Sequence, residues 1–306
     1  MHHTVLDRDE WQTRAHAHRV RVDELTAAHR ERAVRGEKHP VWDFLFTYYS
    51  YKPSLLRRWH PGAGVVLLDA PERAEWRWYA AGPNPDSVVP DAAAFTADMP
   101  RLASLVDHML RRVPQQAARF DCFGLHEWAM VYQADERRHE VALRLGQNGT
   151  DEVVESHRLR CTHFDAFRFF TAPARPRNEQ PLRRDDQVRF EQPGCLHAGM
   201  DVYRWAVKLG PLVPGDLLLD AFELARDIRL LDMKASPYDL SAWNIAPVRI
   251  ETPEGKAEYV EAQRVFAERS NTLRRMLLHA WTATPHATRP PAATEKHRQH
   301  PPVTAA

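Results

Sequence analysis

Four histidines in this chain each stand close to a carboxylate, in segments that are otherwise mostly apolar. The pairs are His39 and Asp43 in HPVWDFLFTYYSY, His126 and Glu127 in FGLHEWAMVY, His163 and Asp165 in CTHFDAFRFF, and His197 and Asp201 in PGCLHAGMD. Imidazole and carboxylate groups are common ligands of zinc and iron, and they are also the usual general acids and bases. A charged group in apolar surroundings is costly unless it is paired, hydrogen-bonded or bound to a metal. These four pairs therefore mark a candidate metal or acid–base centre.

The spacing within each pair would place its histidine and its carboxylate side by side, so that both could take part in one site. Residues four apart, such as His197 and Asp201, share one face of a helix. Residues two apart, such as His163 and Asp165, point the same way if the segment is a strand. Each of the three cysteines also stands near one of these histidines: Cys122, Cys161 and Cys195. None of the spacings matches CxxC or HExxH, so the pattern predicts a centre without specifying its metal.

Structural packing is the competing interpretation of the same residues. Seventeen histidines in 306 residues produce many accidental neighbours, and free cysteine is often buried without a chemical role. For one pair taken alone the structural role is favoured. Four pairs together favour a shared centre, because one protein seldom maintains so many buried ionisable groups for packing alone. The predicted metal ligands are His39, His126, His163 and His197.

A second acidic feature lies in the helical segment DLLLDAFELARDIRLLDM. Asp220, Glu223 and Asp227 fall within an arc of about 60° beside the apolar face. This position could present carboxylates to a cavity, and Glu223 and Asp227 are therefore added to the predicted metal ligands. The alternative is a solvated flank in which Glu223 pairs with Arg226.

Aromatic and basic groups suggest a ligand with a planar ring or a phosphate. Four rings are candidates for stacking on such a ligand: Trp42, Tyr48, Tyr49 and Trp128. The basic segments LLRRWH and ARPRNEQPLRR could bind phosphates. Aromatic residues of this kind more often belong to the core, and the basic segments are equally typical of an ordinary solvated surface.

Composition excludes several classes of function. The 42 basic and 41 acidic residues leave the chain near neutrality, so no global field attracts it to nucleic acid or to an anionic membrane. We find no signal peptide and no apolar run long enough to cross a bilayer, and the odd number of cysteines argues against a disulfide framework. A cytoplasmic protein without a membrane partner is expected. There is also no GxGxxG loop, P-loop, GxSxG elbow or kinase signature.

The pattern of polar and apolar residues along the chain predicts a helix-rich α+β fold, in which a small antiparallel sheet is packed against several helices. These elements must position the groups described above. Strands are predicted in GVVLLDA, EWRWYAAG, HEVALRLG and SHRLRCTHFDAF, and helices in residues 5–35, in the segment from Pro40 to about Tyr51, in the segment around Pro100 and in three long segments after residue 194. Residues 1–282 are predicted to form one compact domain with a helical arm over 1–37. Residues 283–306, rich in Pro, Ala, Thr and His, are predicted to be a disordered tail.

Several long strings resemble a family of bacterial proteins, frequent in actinobacteria, that carry the label 3-methyladenine DNA glycosylase. The strings are HPVWDFLFTYYSYKPSLLRRWHPG, FGLHEWAMVY, RLRCTHFDAFRFF, QPGCLHAGMDVYRWAVKL and FELARDIRLLDMKASPYDL, and the resemblance covers roughly residues 30 to 275. It implies hydrolysis of the N-glycosidic bond of alkylated purines in DNA. Such chemistry needs an extruded base held between aromatic faces and a carboxylate that positions water or stabilises the sugar cation. Asp43 beside Trp42, Tyr48 and Tyr49, or Glu127 beside Trp128, would serve.

Three functional hypotheses stay open at this stage. The first is the DNA glycosylase that the resemblance implies, acting on alkylated DNA. The second is a metal-dependent enzyme, with a zinc or iron ion, that acts on a small molecule. The third is a non-catalytic binding protein with a structural polar core. For the first two, the candidate catalytic carboxylates are Asp43, Glu127, Asp165 and Asp201.

Overall fold

The structure is a computed structural model that describes residues 4–134 and 141–283. These residues form a helix-rich α+β fold, as predicted. The strands are β1 (Thr4–Leu6), β2 (Val65–Leu67), β3 (Tyr79–Ala81) and β4 (Val88–Pro90). The helices are α1 (Arg8–Arg35), α2 (Phe44–Tyr48), α3 (Pro53–Leu56), α4 (Ala92–Asp98), α5 (Pro100–Arg112), α6 (Leu125–Ala129), α7 (Gly146–Glu155), α8 (Phe164–Phe167), α9 (Gln187–Phe190), α10 (Leu196–Leu209), α11 (Gly215–Lys234) and α12 (Pro253–Thr282).

The four strands form one sheet in the order β1-β2-β4-β3, and this sheet is mixed rather than purely antiparallel. β1 runs parallel to β2, with Val5 opposite Val66. β4 is antiparallel to both of its neighbours. The predicted strands GVVLLDA and EWRWYAAG contain β2 and β3, but they do not pair with each other because β4 lies between them. The N-terminal strand β1, which no alternating pattern indicated, adds the parallel pair.

Helix boundaries agree with local sequence rules. α1 begins after Asp7, which accepts a hydrogen bond from the Glu10 backbone in a reciprocal capping box, and ends at Gly36 with φ of 69°. α4 and α5 are separated at Met99, directly before Pro100, because proline starts a new helix more readily than it continues one. The segment after Pro40 forms turns and only the five-residue helix α2.

The two predicted strands in the middle of the chain are wrong where the structure describes them. Leu143 and Leu159 make single bridges, to Tyr238 and Asn178, and neither extends into a strand. The segments continue into helices α7 and α8 instead. Alternation of polar and apolar residues needs a paired neighbour to become a strand, and these segments find only one partner residue each.

Helices α10, α11 and α12 pack against one another to form the centre of the main core. Gly199 of α10 lies where the three helices meet, because a Cβ at this position would stand 2.9 Å from both the Ile228 side chain of α11 and the Ser270 side chain of α12. A side chain at this position would therefore displace one of these two neighbours. Helices α10 and α11 pack against each other here, and both carry residues of the candidate centre.

The remaining predictions on domain organisation concern the two ends of the chain. α1, the predicted helical arm, buries Trp11, Ala15, His18, Val22 and Thr26 along one side. The predicted disordered tail lies outside the described residues apart from Ala283.

Among the helices of the described ranges, none combines the length and apolar character needed to cross a bilayer.

Candidate metal centre

His197, in the first turn of α10, is the central ring of a buried group of three histidines. Its ring centroid lies 4.4 Å from that of His126 of α6, with the two planes at 82°. On its other side it lies 5.3 Å from the ring of His163, at an interplanar angle of 30°. All three side chains are more than nine-tenths buried. The structure therefore brings together His126, His163 and His197, three of the four histidines among the six predicted ligands.

The first of two His/carboxylate groups consists of His126, His197 and Asp232. One potential ligand atom from each residue lies within 4.8 Å of the other two. His126 Nε2 is 2.7 Å from Asp232 Oδ1, and Asp232 is fully buried on α11. Within the described part of the chain, the ring nitrogens of His197 have no hydrogen-bond partner. Burial, followed by the neighbouring His126, lowers the pKa of His197 well below its usual range. His197 is therefore a neutral imidazole with a free lone pair, which is the form that binds a metal.

Arg229 fixes Asp232 of this group and the neighbouring carboxylate of Glu127. Its Nη1 donates to Glu127 Oε1 at 2.9 Å and to Asp232 Oδ2 at 2.8 Å. Burial raises the pKa of Asp232, but the charge and the hydrogen bond of His126 outweigh it and hold the pKa below its ordinary value. Asp232 is therefore an ionised carboxylate, oriented by an arginine on one side and a histidine on the other.

The second group consists of His163, Glu191 and Asp201, all of them buried. His163 Nε2 lies 3.2 Å from Asp201 Oδ2 and 3.3 Å from Glu191 Oε1. Asp201 is also held by Arg204 at 2.9 Å. Burial raises the pKa of Glu191 to about 7, and His163 only partly offsets this shift. This group therefore holds a carboxyl whose charge changes near neutral pH.

The hydrogen bonds of His163 argue against its binding a metal. His163 caps α8, and its Nδ1 accepts a hydrogen bond from the Ala166 backbone at 3.3 Å. An acceptor nitrogen carries no proton, so the proton of the neutral ring is on Nε2, the atom that faces the two carboxylates. A metal ligand needs a lone pair at that nitrogen. His126 is different, because within the described residues its Nδ1 makes no hydrogen bond. Its proton can therefore move to Nδ1 when a metal ion takes the place of the hydrogen bond between Nε2 and Asp232.

A cavity of about 190 Å³ adjoins the first group. His197, Glu127 and Arg229 line one side of it. The remaining lining residues are mainly aromatic, with one further carboxylate: Phe44, Tyr48, Met130, Asp165, Ala166, Phe169 and Tyr238. A larger cavity of about 700 Å³ shares Phe44 and Arg229 with the smaller one, and the guanidinium carbon of Arg229 lies 4.0 Å from the Phe44 ring centroid. Phe44 and Arg229 thus belong to the walls of both cavities. The smaller cavity is called the inner chamber and the larger one the outer chamber.

Four candidate catalytic carboxylates occupy different positions in the fold. Glu127 and Asp165 line the inner chamber. Asp165 is bound by Arg184 and Arg204, both at 2.9 Å. Asp201 belongs to the second group, and Asp43 lies in the outer chamber. Only Glu127 and Asp165 are therefore placed to face a ligand in the inner chamber.

His39 and Asp43 form a local cap and lie outside both His/carboxylate groups. Asp43 accepts hydrogen bonds from His29 at 2.8 Å, from Arg32 at 2.7 Å and from the backbone of His39 at 2.8 Å. His39 Nδ1 accepts from the backbone of Val41 at 3.2 Å. This corrects the expectation that His39 joins the other three histidines. The pair instead anchors the start of the turn to α1.

The predicted stacking residues divide between the core and the chamber. Trp128 is fully buried and donates from Nε1 to the Ala235 carbonyl at 2.8 Å, which makes it a core residue. Trp42 is half-buried with its ring 5.9 Å from that of His39. Tyr49 donates to Asp201 at 3.2 Å. Among these four predicted rings, only Tyr48 lines the inner chamber, where its hydroxyl accepts a hydrogen bond from Arg204 at 2.8 Å.

Glu223 and Asp227 belong to neither His/carboxylate group. Arg21 of α1 binds Glu223 at 2.9 Å, and Arg269 of α12 binds Asp227 at 2.6 Å. The acidic stripe of α11 thus pairs with neighbouring helices. This placement corrects the expectation that the stripe faces the cavity with the histidines.

The cysteines contribute no thiolate to the centre. Burial raises the pKa of the Cys122 thiol, raises that of Cys161 to about 12, and raises that of Cys195 well above its usual range. The thiols therefore stay protonated, and a protonated thiol is a poor metal ligand. None of the three belongs to a His/carboxylate group among the described residues.

Sequence reasoning missed Asp232, Arg229 and Glu191. Asp232 follows Ile228 by four residues, so it is an ionisable residue on the apolar face of α11, and this was the available signal. Helical periodicity predicts that Arg229 lies away from the apolar arc of α11, but it is only 3% exposed. Glu191 lies in an irregular segment after α9, and no local pattern indicates its position.

Comparisons with models of protein families, with curated proteins and with solved structures find no match for this chain.

Proposed function

We propose that the protein is a metal-dependent enzyme that binds one zinc or iron ion at His126, His197 and Asp232 and acts on a small molecule in the inner chamber. The observation that carries this proposal is the position of His197. Its imidazole, which has no hydrogen-bond partner among the described residues, lies beside the His126–Asp232 pair and lines the chamber. Two histidines and one carboxylate with open positions are a ligand set that serves both zinc hydrolases and non-haem iron enzymes.

The chain's own residues have defined parts in this proposal. Arg229 orients Asp232 and Glu127 through one guanidinium nitrogen. Glu127 is the carboxylate that lines the chamber beside His197, and it is placed to accept a proton from a substrate or from water. A bound zinc or iron ion would supply Lewis acidity, and in the case of iron also redox chemistry. The volume of about 190 Å³ favours a small substrate.

Metal analysis of the purified protein tests the proposal. About one zinc or iron per chain is expected after loading and removal of loose metal, and His197→Ala should lose it. His39→Ala is the matched control, since His39 lies outside both His/carboxylate groups and should retain wild-type metal content. Circular dichroism would show that both variants are folded. Retention of full metal content by His197→Ala, or absence of metal from the loaded wild type, would contradict the proposal.

A second candidate is the glycosylase activity that the sequence resemblance implies. The supporting observation is that Tyr48, Glu127 and Asp165 line one chamber, which combines an aromatic ring with carboxylates. Of these carboxylates, Glu127 would be the catalytic one, because three arginines surround Asp165. Release of 3-methyladenine from alkylated DNA, lost in Glu127→Gln and unaffected by a chelator, would favour this candidate. Release that depends on added metal would favour the metal enzyme acting on DNA instead.

A further inference from the structure

A second cavity, of about 850 Å³, lies between α1, the segment after α3 and the turn Pro71–Arg73. It shares no lining residue with the inner chamber of the metal centre. Four arginines and three tryptophans line it: Arg19, Arg57, Arg58, Arg73, Trp11, Trp59 and Trp76. The cavity thus combines concentrated positive charge with aromatic side chains, in a chain whose net charge is close to zero.

Arg73 is the buried cation of this cavity. Arg73 is only 6% exposed, and its Nη1 donates a hydrogen bond to the Trp59 carbonyl at 2.8 Å. Its guanidinium carbon lies 3.9 Å from the ring centroid of Trp76 and 5.4 Å from that of Trp11. Tyr79 is hydrogen-bonded to it and the charge of the exposed Glu72 acts on it, but no carboxylate of the described residues lies within ion-pair distance. A buried cation without a counter-ion is costly, so this position favours an anion supplied from outside.

Two further arginines at this cavity are also free to bind an anion. Arg58 is exposed and lies 5.6 Å from the Trp76 ring centroid, on which Arg73 also stacks. Neither Arg58 nor Arg19 forms an ion pair with a described residue. Arg57 is already paired with Asp23, at 3.0 Å. Three of the four arginines therefore lack a carboxylate partner within the described ranges.

The carboxylates and the neighbouring histidine do not cancel this charge. Asp9 and Glu72 are exposed residues of the lining, and Glu72 lies 3.9 Å from Arg8. Burial, followed by the charge of Arg73, lowers the pKa of His60 to about 3, so this histidine stays neutral. The interior of the cavity therefore keeps an excess of positive charge.

We propose that this cavity is a binding site for a phosphate monoester, with the buried Arg73 and the exposed Arg58 and Arg19 as the anion-binding residues. Arginine is suited to this role because its planar fork donates two parallel hydrogen bonds to phosphate oxygens. The cavity is much larger than a phosphate group, so it also holds the organic part of the ligand. The half-buried Trp76 offers that part an aromatic side chain, which favours a nucleotide over a sugar phosphate.

Calorimetric titration with adenosine monophosphate, inorganic phosphate and adenosine tests the site. The nucleotide should bind, and adenosine without phosphate should not. Arg58→Gln combined with Arg19→Gln should weaken nucleotide binding about tenfold or more, because each change removes a charge-assisted contact. Both residues are exposed, so this variant is expected to fold. Arg73→Gln should abolish binding, and its melting curve would report whether it folds.

Arg77→Gln is the matched control. Arg77 is exposed and also stacks on a tryptophan, with its guanidinium carbon 4.2 Å from the Trp78 ring centroid, but it does not line the cavity. Its replacement should leave nucleotide binding unchanged. Failure of both phosphate and nucleotide to bind at millimolar concentration would overturn the proposal, as would unchanged affinity in the Arg58 and Arg19 double variant.

A further titration, with a single-stranded oligonucleotide, identifies the source of the phosphate. Tighter binding of a 5′-phosphorylated single strand than of the mononucleotide, with the same loss in the double variant, would assign the site to the end of a nucleic acid. Weaker binding would assign it to a free nucleotide. Equal binding of the strand with and without its terminal phosphate would contradict a monoester site. None of these results depends on metal at His197.

Discussion

The imidazole of His126 packs edge-on against that of His197, with 4.4 Å between the ring centroids, although the two residues lie on different helices. Asp232, from a third helix, faces His126 at 2.7 Å. Buried imidazoles in contact cannot both be protonated at low cost, because two like charges would then share a site of low dielectric. The contact therefore keeps a neutral histidine with a lone pair next to a carboxylate, which is the requirement for binding a metal.

We predict that His163→Gln and His197→Gln differ in metal content. Both residues are buried and their rings are 5.3 Å apart, so the substitutions disturb neighbouring parts of the core. His197→Gln should lose the metal, whereas His163→Gln should keep it because the proton on His163 Nε2 excludes that nitrogen as a ligand. Elemental analysis of both folded proteins makes the comparison. Loss of metal from both would show that the second group also contributes ligands.

Asp232→Asn should lower the free energy of unfolding by about 3–5 kcal/mol, since it leaves a buried arginine without one of its carboxylate partners. Urea denaturation measures the change. Asp98→Asn is the surface control: Asp98 pairs with Arg77 at 3.4 Å with half of its side chain exposed, so the expected change is below about 1 kcal/mol. Equal effects of the two substitutions would mean that the buried network adds nothing beyond an ordinary surface pair.

Glu191→Gln should flatten the pH dependence of stability. The folded pKa of Glu191 is about 7, above the ordinary value of about 4.3 expected in the unfolded chain. Between these two pKa values the folded state holds a proton that the unfolded state releases. The resulting contribution of Glu191 to the free energy of unfolding is fully present below about pH 4 and is lost as pH rises through about 7. Between pH 5 and pH 8, the free energy of unfolding of the wild type should fall by on the order of 2 kcal/mol relative to that of the variant.

Urea unfolding at several pH values measures this difference. Glu152→Gln, at an exposed position of α7, is the control and should follow the wild-type pH dependence. If the wild type and Glu191→Gln changed in parallel over the whole range, the carboxyl of Glu191 would not titrate near neutral pH.

Asp43→Asn should reduce stability without affecting metal content. Burial raises the pKa of Asp43, but the hydrogen bonds from His29, Arg32 and the His39 backbone lower it below its ordinary value. Its contribution to stability is therefore present above the unfolded pKa of about 3.9 and is lost as pH falls through the folded pKa. At neutral pH we expect a loss of about 1–3 kcal/mol, measured by urea unfolding. Loss of metal from this variant would instead place Asp43 in the centre.

Helix boundaries followed from neighbouring residues. The break at Pro100 and the end of α1 at Gly36 depend on φ angles and on caps, which are properties of a few consecutive residues. Strand pairing did not follow from local patterns. β1 pairs in parallel with β2 across the whole of α1, and the alternating residues around Leu143 and Leu159 never found a neighbouring strand. Pairing depends on what lies beside a segment, and sequence periodicity does not contain that information.

The amino-acid sequence alone was enough to identify His126, His163, His197 and Glu127 as unusual, because ionisable groups in apolar segments need partners wherever they are buried. Their actual partners were decided by tertiary packing. Asp232 and Arg229 of α11 reach the histidines because α11 packs against α10, and Glu191 comes from an irregular segment. His39 and Asp43 have the same sequence pattern, but α1 satisfied them locally through His29 and Arg32. A buried charge requires a partner, but only the three-dimensional arrangement of the helices determines which one is within reach.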